Sequence, residues 1–129
     1  MIVDTSAIAA IFFQEDGFEE LLQKIDLVQQ SGIGTPTLVE CGIVLSARME
    51  RDARGPLTRF LEETRIATLP FTDSHLNIAI GGWIKYGKGR HPASLNFGDC
   101  LTYAVAKVAN MPLLYVGEDF KKTDLEAAL

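Results

Sequence analysis

Two cysteines, Cys41 and Cys100, are all the thiols in this chain, too few for a disulfide framework and not spaced as metal ligands. Both read as buried thiols of a reducing cytoplasm. Long apolar stretches are missing too. Runs such as Ile8 to Phe13 fall well short of the roughly 20 residues that span a bilayer, so no membrane segment is expected. The amino-terminal residues carry no basic stretch, and Asp4 interrupts the apolar continuity that an export signal needs. Positive charge is scarce, with 12 Lys and Arg against 17 Asp and Glu and a net charge of -5. That balance argues against generic coating of nucleic acid, which depends on many cationic contacts to phosphate, while leaving room for a local basic site. Repeats, low-complexity tracts and linker-like segments are absent. What remains is an ordinary globular composition, 47% apolar and 22% charged over 129 residues, enough for one domain with a real core. Residues 1–129 are read as a single unit.

Met1-Ile2-Val3 suits a short buried strand and runs straight into Asp4-Thr5-Ser6, residues that start helices. Helical spacing follows from Ala7 to Phe13 and, after Gly17, through Phe18, Leu21, Leu22, Ile25 and Val28. Ile33-Gly34 marks a second strand. Thr35-Pro36 then supplies an N-cap and a first helical residue for a helix through Ala47, ended by Gly55-Pro56. Pro56 opens a further helix to about Thr64, and Ile66 to Phe71 reads as a third strand. Asp73 or Ser74 caps a helix with Leu76, Ala79, Ile80, Trp83 and Ile84 at helical spacing, up to a loop over Gly87–Pro92. Asn96 begins the last helix, and Leu113 to Val116 is the fourth strand. Strands alternating with helices predict an α/β fold with a parallel sheet covered on both faces.

In such a fold the site lies beyond the carboxyl ends of the strands, and four acids fall there or in the first turns of a helix. Asp4 follows the first strand, Glu40 lies inside the helix after the second, Asp99 opens the Asn96 helix, and Asp119 follows the fourth strand. Each alone has a structural explanation. Asp4 is a possible N-cap, Glu40 pairs with Thr37 at capping-box spacing, Asp99 complements a helix dipole, and Asp119 suits a turn after Gly117. Brought together, four carboxylates repel unless protonated or neutralised by cations. A hard divalent ion is the natural counter-charge. Mg2+ takes oxygen ligands and keeps several waters, and paired ions about 3.5–4 Å apart suit phosphodiester hydrolysis.

The segments Met1-Ile2-Val3-Asp4-Thr5-Ser6-Ala7, Thr37-Leu38-Val39-Glu40, Leu95-Asn96-Phe97-Gly98-Asp99-Cys100 and Leu114-Tyr115-Val116-Gly117-Glu118-Asp119-Phe120, in that order, resemble the PIN-domain ribonucleases. Within them the chain is most similar to VapC-type toxins of toxin–antitoxin pairs, and Tyr86 to Pro92 and Thr123-Asp124 match that subgroup as well. The resemblance implies a three-layer α/β/α fold with a short central parallel sheet. It further implies an endoribonuclease dependent on Mg2+ or Mn2+ that cuts RNA such as tRNA or rRNA and halts translation. Asp4, Glu40 and Asp99 match the family's metal-binding acids, Asp119 rather than the neighbouring Glu118 matches the fourth, and Ser6 resembles the hydroxyl that supports the first. On this reading Asp4 and Asp99 hold the principal ion, while Glu40 and Asp119 complete the pocket and orient the attacking water. Asp4→Asn is then expected to abolish cleavage with the thermal midpoint unchanged or higher. A VapB-type antitoxin and a homodimer are the partners that the resemblance implies.

Other residues admit two readings. Lys85, Lys88 and Arg90, in a glycine-bearing loop with Tyr86, either grip RNA phosphate or keep a connection solvated. Arg48, Arg51 and Arg54 read as cations favoured at a helix end. His75 and His91 read as bystanders, and Trp83 and the phenylalanines as core rather than a base-stacking platform. Three competing functions stand beside the nuclease. An aspartate-nucleophile phosphatase would use Asp4, but it wants a second acid where this chain has Ser6. A phospho-receiver module would use Asp73 as its acceptor. A partner-binding protein would keep the acids without turnover.

Overall fold

A computed structural model describes all residues 1–129. The elements run β1 (Ile2–Val3), α1 (Thr5–Phe12), α2 (Phe18–Leu27), β2 (Gly32–Gly34), α3 (Thr35–Met49), α4 (Arg54–Thr64), β3 (Ala67–Leu69), α5 (Asp73–Tyr86), α6 (Phe97–Ala109) and β4 (Leu113–Leu114), followed by a 3-10 turn at Phe120–Lys122. The four strands pair in parallel in the order β3-β2-β1-β4. From β1 the chain leaves to β2 on one side, while β4 arrives on the other. The crevice between the carboxyl ends of β1 and β4 is therefore the topological switch point, where open α/β sheets place their sites.

Side chains alternate across so short a sheet. Val3, Ile33 and Leu114 join one apolar cluster with Ile8, Ile11, Leu21, Ile25, Leu45 and Leu57 from α1 to α4. Ile2 and Leu113 point the other way, into a second cluster with Tyr86, Leu95, Tyr103, Val105 and Phe120. Helices thus cover both faces, as the strand and helix alternation predicts. Gly34 lets α6 approach the sheet: a Cβ there would lie 2.7 Å from Val105 Cγ2.

Several boundaries differ from the sequence reading, each for a local reason. Gly34, not Thr35, is the N-cap of α3, which moves Pro36 to the second helical position, still within the turn that needs no N–H. Gly55 and Pro56 lie inside the first turn of α4 rather than ending α3, which stops at Glu50 in a left-handed conformation. Thr72, not Asp73 or Ser74, caps α5. Its partner is His75, whose Nδ1 accepts the Thr72 N–H at 3.0 Å, so this histidine is a buried structural group. The fourth strand is only Leu113–Leu114, and its outer edge is covered by the carboxy-terminal segment, where Leu113 N–H donates to Glu126 O and Ala128 N–H to Leu113 O. Trp83 and Phe97 are not core: they are 43% and 80% exposed. The buried residues of α5 are His75, Ala79, Gly82 and Tyr86, leaving Leu76, Ile80, Trp83 and Ile84 facing outward. No helix is long and apolar enough to cross a membrane.

Candidate active site

Asp4 leaves β1 at the switch point and is buried, 5% exposed. It is the N-cap of α1: its Oδ2 accepts the Ser6 N–H at 3.0 Å and the Ser6 hydroxyl at 2.7 Å. Its Oδ1 accepts the Thr102 hydroxyl of α6 at 2.9 Å. A carboxylate offers about four acceptor sites, so three are taken and one, on Oδ1, stays free. Ser6 Oγ also accepts the Val116 N–H at 3.0 Å, tying the exit of β4 to the exit of β1.

Glu40 is half-buried in α3. Its Oε1 accepts the Thr5 hydroxyl at 2.7 Å, and its Oε2 lies against Gly98 at the start of α6, where any Cβ would collide with it. Thr37 takes no part in a capping box with Glu40; it is buried inside the helix, its hydroxyl 3.0 Å from that of Thr102. Asp99 is the third residue of α6 and does form a capping box: its N–H donates to Asn96 Oδ1 at 2.9 Å, and its Oδ2 accepts the Asn96 N–H at 3.1 Å. Oδ1 of Asp99 and Oε2 of Glu40 thus lack protein donors.

The Asp99 carboxyl is pushed up to about 6, first by burial, which the Asn96 N–H partly offsets, and then by the negative charges of Asp4, Asp119 and Glu40. The four acids, separated in sequence, therefore share one electrostatic field. Asp119 is exposed before the 3-10 turn and acts on Asp99, whereas the neighbouring Glu118 is paired with Lys121 at 2.8 Å. Cys41, fully buried beside the cluster, has its thiol pushed up to about 12 by burial and by the charges of Asp4 and Glu40, so it stays protonated. Its side chain belongs to the apolar cluster of α1 to α4.

The donor set suits a hard divalent ion. All the free atoms are carboxylate oxygens, and their unrelieved mutual repulsion is what a cation would remove. No three His, Cys, Asp or Glu side chains converge as a metal cage. The arrangement fits an ion that takes one or two carboxylates at a time and keeps water for its remaining positions, which is the habit of Mg2+.

The loop candidates lie at the end of α5. Arg90 Nε donates to Ile84 O at 3.0 Å and its guanidinium stands 5.0 Å from the Trp83 ring centroid, while Lys85 lies over Tyr86. Lys88 is exposed and makes no ion pair. Asp73 starts α5 beyond the edge strand β3 and is not among the charges acting on Asp99. Arg48 stacks on the Phe13 ring at 3.7 Å and pairs with Glu15, a structural contact.

Sequence reasoning misses the part that four residues play here: Thr5, read only as a helix start, Thr37, read only as a capping partner, Gly98, and Thr102. The available signal is spacing. Thr37 precedes Glu40 by three residues and Thr102 follows Asp99 by three, which places each threonine on its acid's side of the helix.

A family model described as PIN domain matches residues 1–126. The chain is 43% identical over 127 residues to Ribonuclease VapC36 of Mycobacterium tuberculosis, covering 98% of this chain and 91% of that protein. The crystal structure of Mycobacterium tuberculosis VapC20, a sarcin-ricin loop cleaving toxin, has the same fold with a TM-score of 0.77 at 16% identity, over 96% of this chain and 95% of the other. A chain of a toxin–antitoxin complex from Klebsiella pneumoniae aligns with a TM-score of 0.70 at 17% identity, over 95% and 92%. The chain therefore belongs to the PIN domain family, among its VapC ribonucleases, and its layered α/β/α architecture is the fold of that family.

Proposed function

We propose that this chain, as a single domain spanning residues 1–129, is the endoribonuclease toxin of a toxin–antitoxin pair, hydrolysing RNA phosphodiester bonds at the acidic cluster. The observation that carries this reading is the shared field of Asp4, Glu40, Asp99 and Asp119 at the switch point of the sheet, expressed in the raised Asp99 carboxyl. The two VapC proteins above are named for ribonuclease or toxin activity, which supports the same assignment. Asp4 and Asp99 would hold the principal Mg2+ or Mn2+, with Glu40 and Asp119 completing the pocket and positioning the attacking water. When bound, the ion supplies an acidified water and neutralises charge on the scissile phosphate. Asp119 is the better fourth acid because Glu118 is occupied by Lys121. Ser6 holds Asp4 in place from one side. No side-chain nucleophile is required.

Lys88, with Lys85 and the free amines of Arg90, is the proposed contact for RNA phosphate, tRNA or rRNA being the substrate class that the resemblance favours. An antitoxin of the VapB type fits a groove of about 840 Å³ between α3 and α4, lined by Leu38, Val39, Ile43, Leu57 and Leu61. Leu38 and Val39 immediately precede Glu40 in sequence, so a helix or strand seated there sends an Arg to the carboxylates over a short reach, with charge-assisted hydrogen bonds on arrival. The outward face of α5 supports a homodimer. The cytoplasm is the compartment in which two unpaired thiols and an RNA substrate are both at home.

Purified protein incubated with RNA in Mg2+, in Mn2+ and in excess chelator, beside Asp99→Asn, tests the proposal. Cleavage that requires the ion and is lost in the variant is the expected result. Cleavage that persists in chelator and in Asp99→Asn would overturn it.

A further inference from the structure

We infer that Thr102 is a positioning residue for the proposed reaction: its hydroxyl, oriented in turn by Thr37, locks the carboxylate plane of Asp4. The inference rests on the nuclease reading but is argued from separate contacts. Thr102 is 1% exposed and Thr37 3% exposed; their hydroxyls meet from different helices, α6 and α3, and that of Thr102 reaches Asp4.

An aspartate carboxylate turns easily about its last torsion, which has broad minima. Ser6 holds only Oδ2, through two bonds from one neighbouring residue. Thr102 holds the opposite oxygen, Oδ1, from α6, 98 residues away in sequence. With both oxygens fixed the plane cannot turn, and the remaining acceptor position on Oδ1 has one direction.

Proton bookkeeping sets the polarity of this chain. Ionised Asp4 can only accept, so Thr102 gives it its single hydroxyl proton. The 3.0 Å contact between the two threonine hydroxyls must then have Thr37 donating to Thr102. The sequence Thr37 to Thr102 to Asp4 is a run of aligned donors ending on a charge, the arrangement in which each bond strengthens the next. It also ties the helix turn bearing Glu40 and the helix turn bearing Asp99 to the strand end bearing Asp4. A valine fills nearly the same volume, so Thr102→Val opens no cavity; what it removes is the donor to Asp4 Oδ1 and the acceptor for the Thr37 hydroxyl.

The test uses Thr102→Val, Thr102→Ser and Thr37→Val in the full chain. Its readouts are kcat and KM on a fluorogenic RNA, Mn2+ affinity from the electron paramagnetic signal of the free ion, and the thermal midpoint. Thr102→Val is expected to lower kcat and Mn2+ affinity about 10- to 100-fold, the usual effect of removing a group that orients a ligand, with KM for RNA held within about twofold. Thr102→Ser restores both to within about twofold of the parent, and Thr37→Val falls between. Parental kcat and Mn2+ affinity in Thr102→Val, or a Thr102→Ser protein as impaired as the valine, overturns the inference. Should Thr102→Val fail to fold, Thr37→Val decides, and parental values for it overturn the relay. If the parent protein cleaves no RNA with either ion, the nuclease reading fails by itself, while the order of Mn2+ affinities still judges Thr102.

Discussion

Three donors converge on Asp4, and that count changes what a substitution there does. Asparagine keeps one acceptor oxygen and replaces the other with an NH2 group, which must face either the Thr102 hydroxyl or the Ser6 pair. The sequence alone suggests that Asp4→Asn is neutral or stabilising, because it removes a charge. With the amide toward Thr102, that hydroxyl must turn from donor to acceptor and the Thr37–Thr102 bond must reverse, while the Ser6 donors meet a neutral oxygen in place of a charge: we expect a loss of about 1–3 kcal/mol, seen in chemical denaturation, together with loss of cleavage. Asp99→Asn is the opposite case. Its amide oxygen can still accept the Asn96 N–H, so the capping box survives. Because the folded carboxyl sits at about 6 against an ordinary 3.8, burying it ionised costs stability. In metal-free protein that penalty is absent below the ordinary value and complete above about pH 6. Metal-free protein should therefore gain from this group as pH falls from 7 toward 4, and Asp99→Asn should be more stable than the parent at pH 7 but not at pH 4. Thermal melts in chelator across that range check it, and an Asp99→Asn protein less stable at pH 7 would contradict it. Gly98 offers a third single-residue test. Its missing Cβ is the space that Glu40 Oε2 occupies, so Gly98→Ala must displace that carboxylate. Alanine favours helix over glycine by up to about 1 kcal/mol, so cleavage should fall while the thermal midpoint holds or rises.

The elements most legible from sequence are those whose ends carry chemistry of their own. Asn96 and Asp99 read as a helix start and are one, because the reciprocal bonds need only a three-residue spacing. Replacing Asn96 with Ala should cost about 1 kcal/mol and also release the loop that presents Asp99, so stability and cleavage fall together, a pairing that distinguishes it from Gly98→Ala. The acids at the ends of β1 and β4 are visible for a similar reason: a strand-to-helix junction is marked by a local change of pattern. Thr35 and Thr37 mislead because a threonine beside a proline offers the same hydroxyl to a cap or to a distant partner, and only tertiary packing decides. Thr37 goes to Thr102. Thr102 itself lies mid-helix, in a run that periodicity reads as packing, and nothing local reports a contact to Asp4 nearly a hundred residues earlier. The α5 helix shows the same limit at larger scale. Leu76, Ile80, Trp83 and Ile84 have helical spacing, and spacing registers an apolar stripe without saying whether the chain's own core covers it.

In this molecule the core does not cover it. Ile80 is 54% and Trp83 43% exposed, with Phe97 nearby lining a shallow apolar pocket with both of them. A chain with net charge -5 has ample charge to dress its surface, yet this stripe holds none until Lys85 at its end. Contiguous exposed apolar area of this kind marks an interaction surface more often than a free one, and a single helix face can meet its own copy across a two-fold axis without needing a second complementary patch. We therefore expect Ile80→Glu and Trp83→Glu, both on the exposed side of α5, to shift the purified protein to monomer in sedimentation velocity. The thermal midpoint at low protein concentration should stay nearly unchanged, since neither side chain belongs to the two buried clusters. The acidic site should respond separately. Saturating Mn2+ at about 100 times its dissociation constant adds about 2.7 kcal/mol to the folded state, and it should do so equally in the monomeric variants, because all four acids lie on the β1–α1 junction, α3, α6 and the turn after β4 of one chain. Loss of Mn2+ stabilisation along with dimerisation would mean that the ion needs a group from the second copy, and the site would have to be redrawn across the two-fold axis.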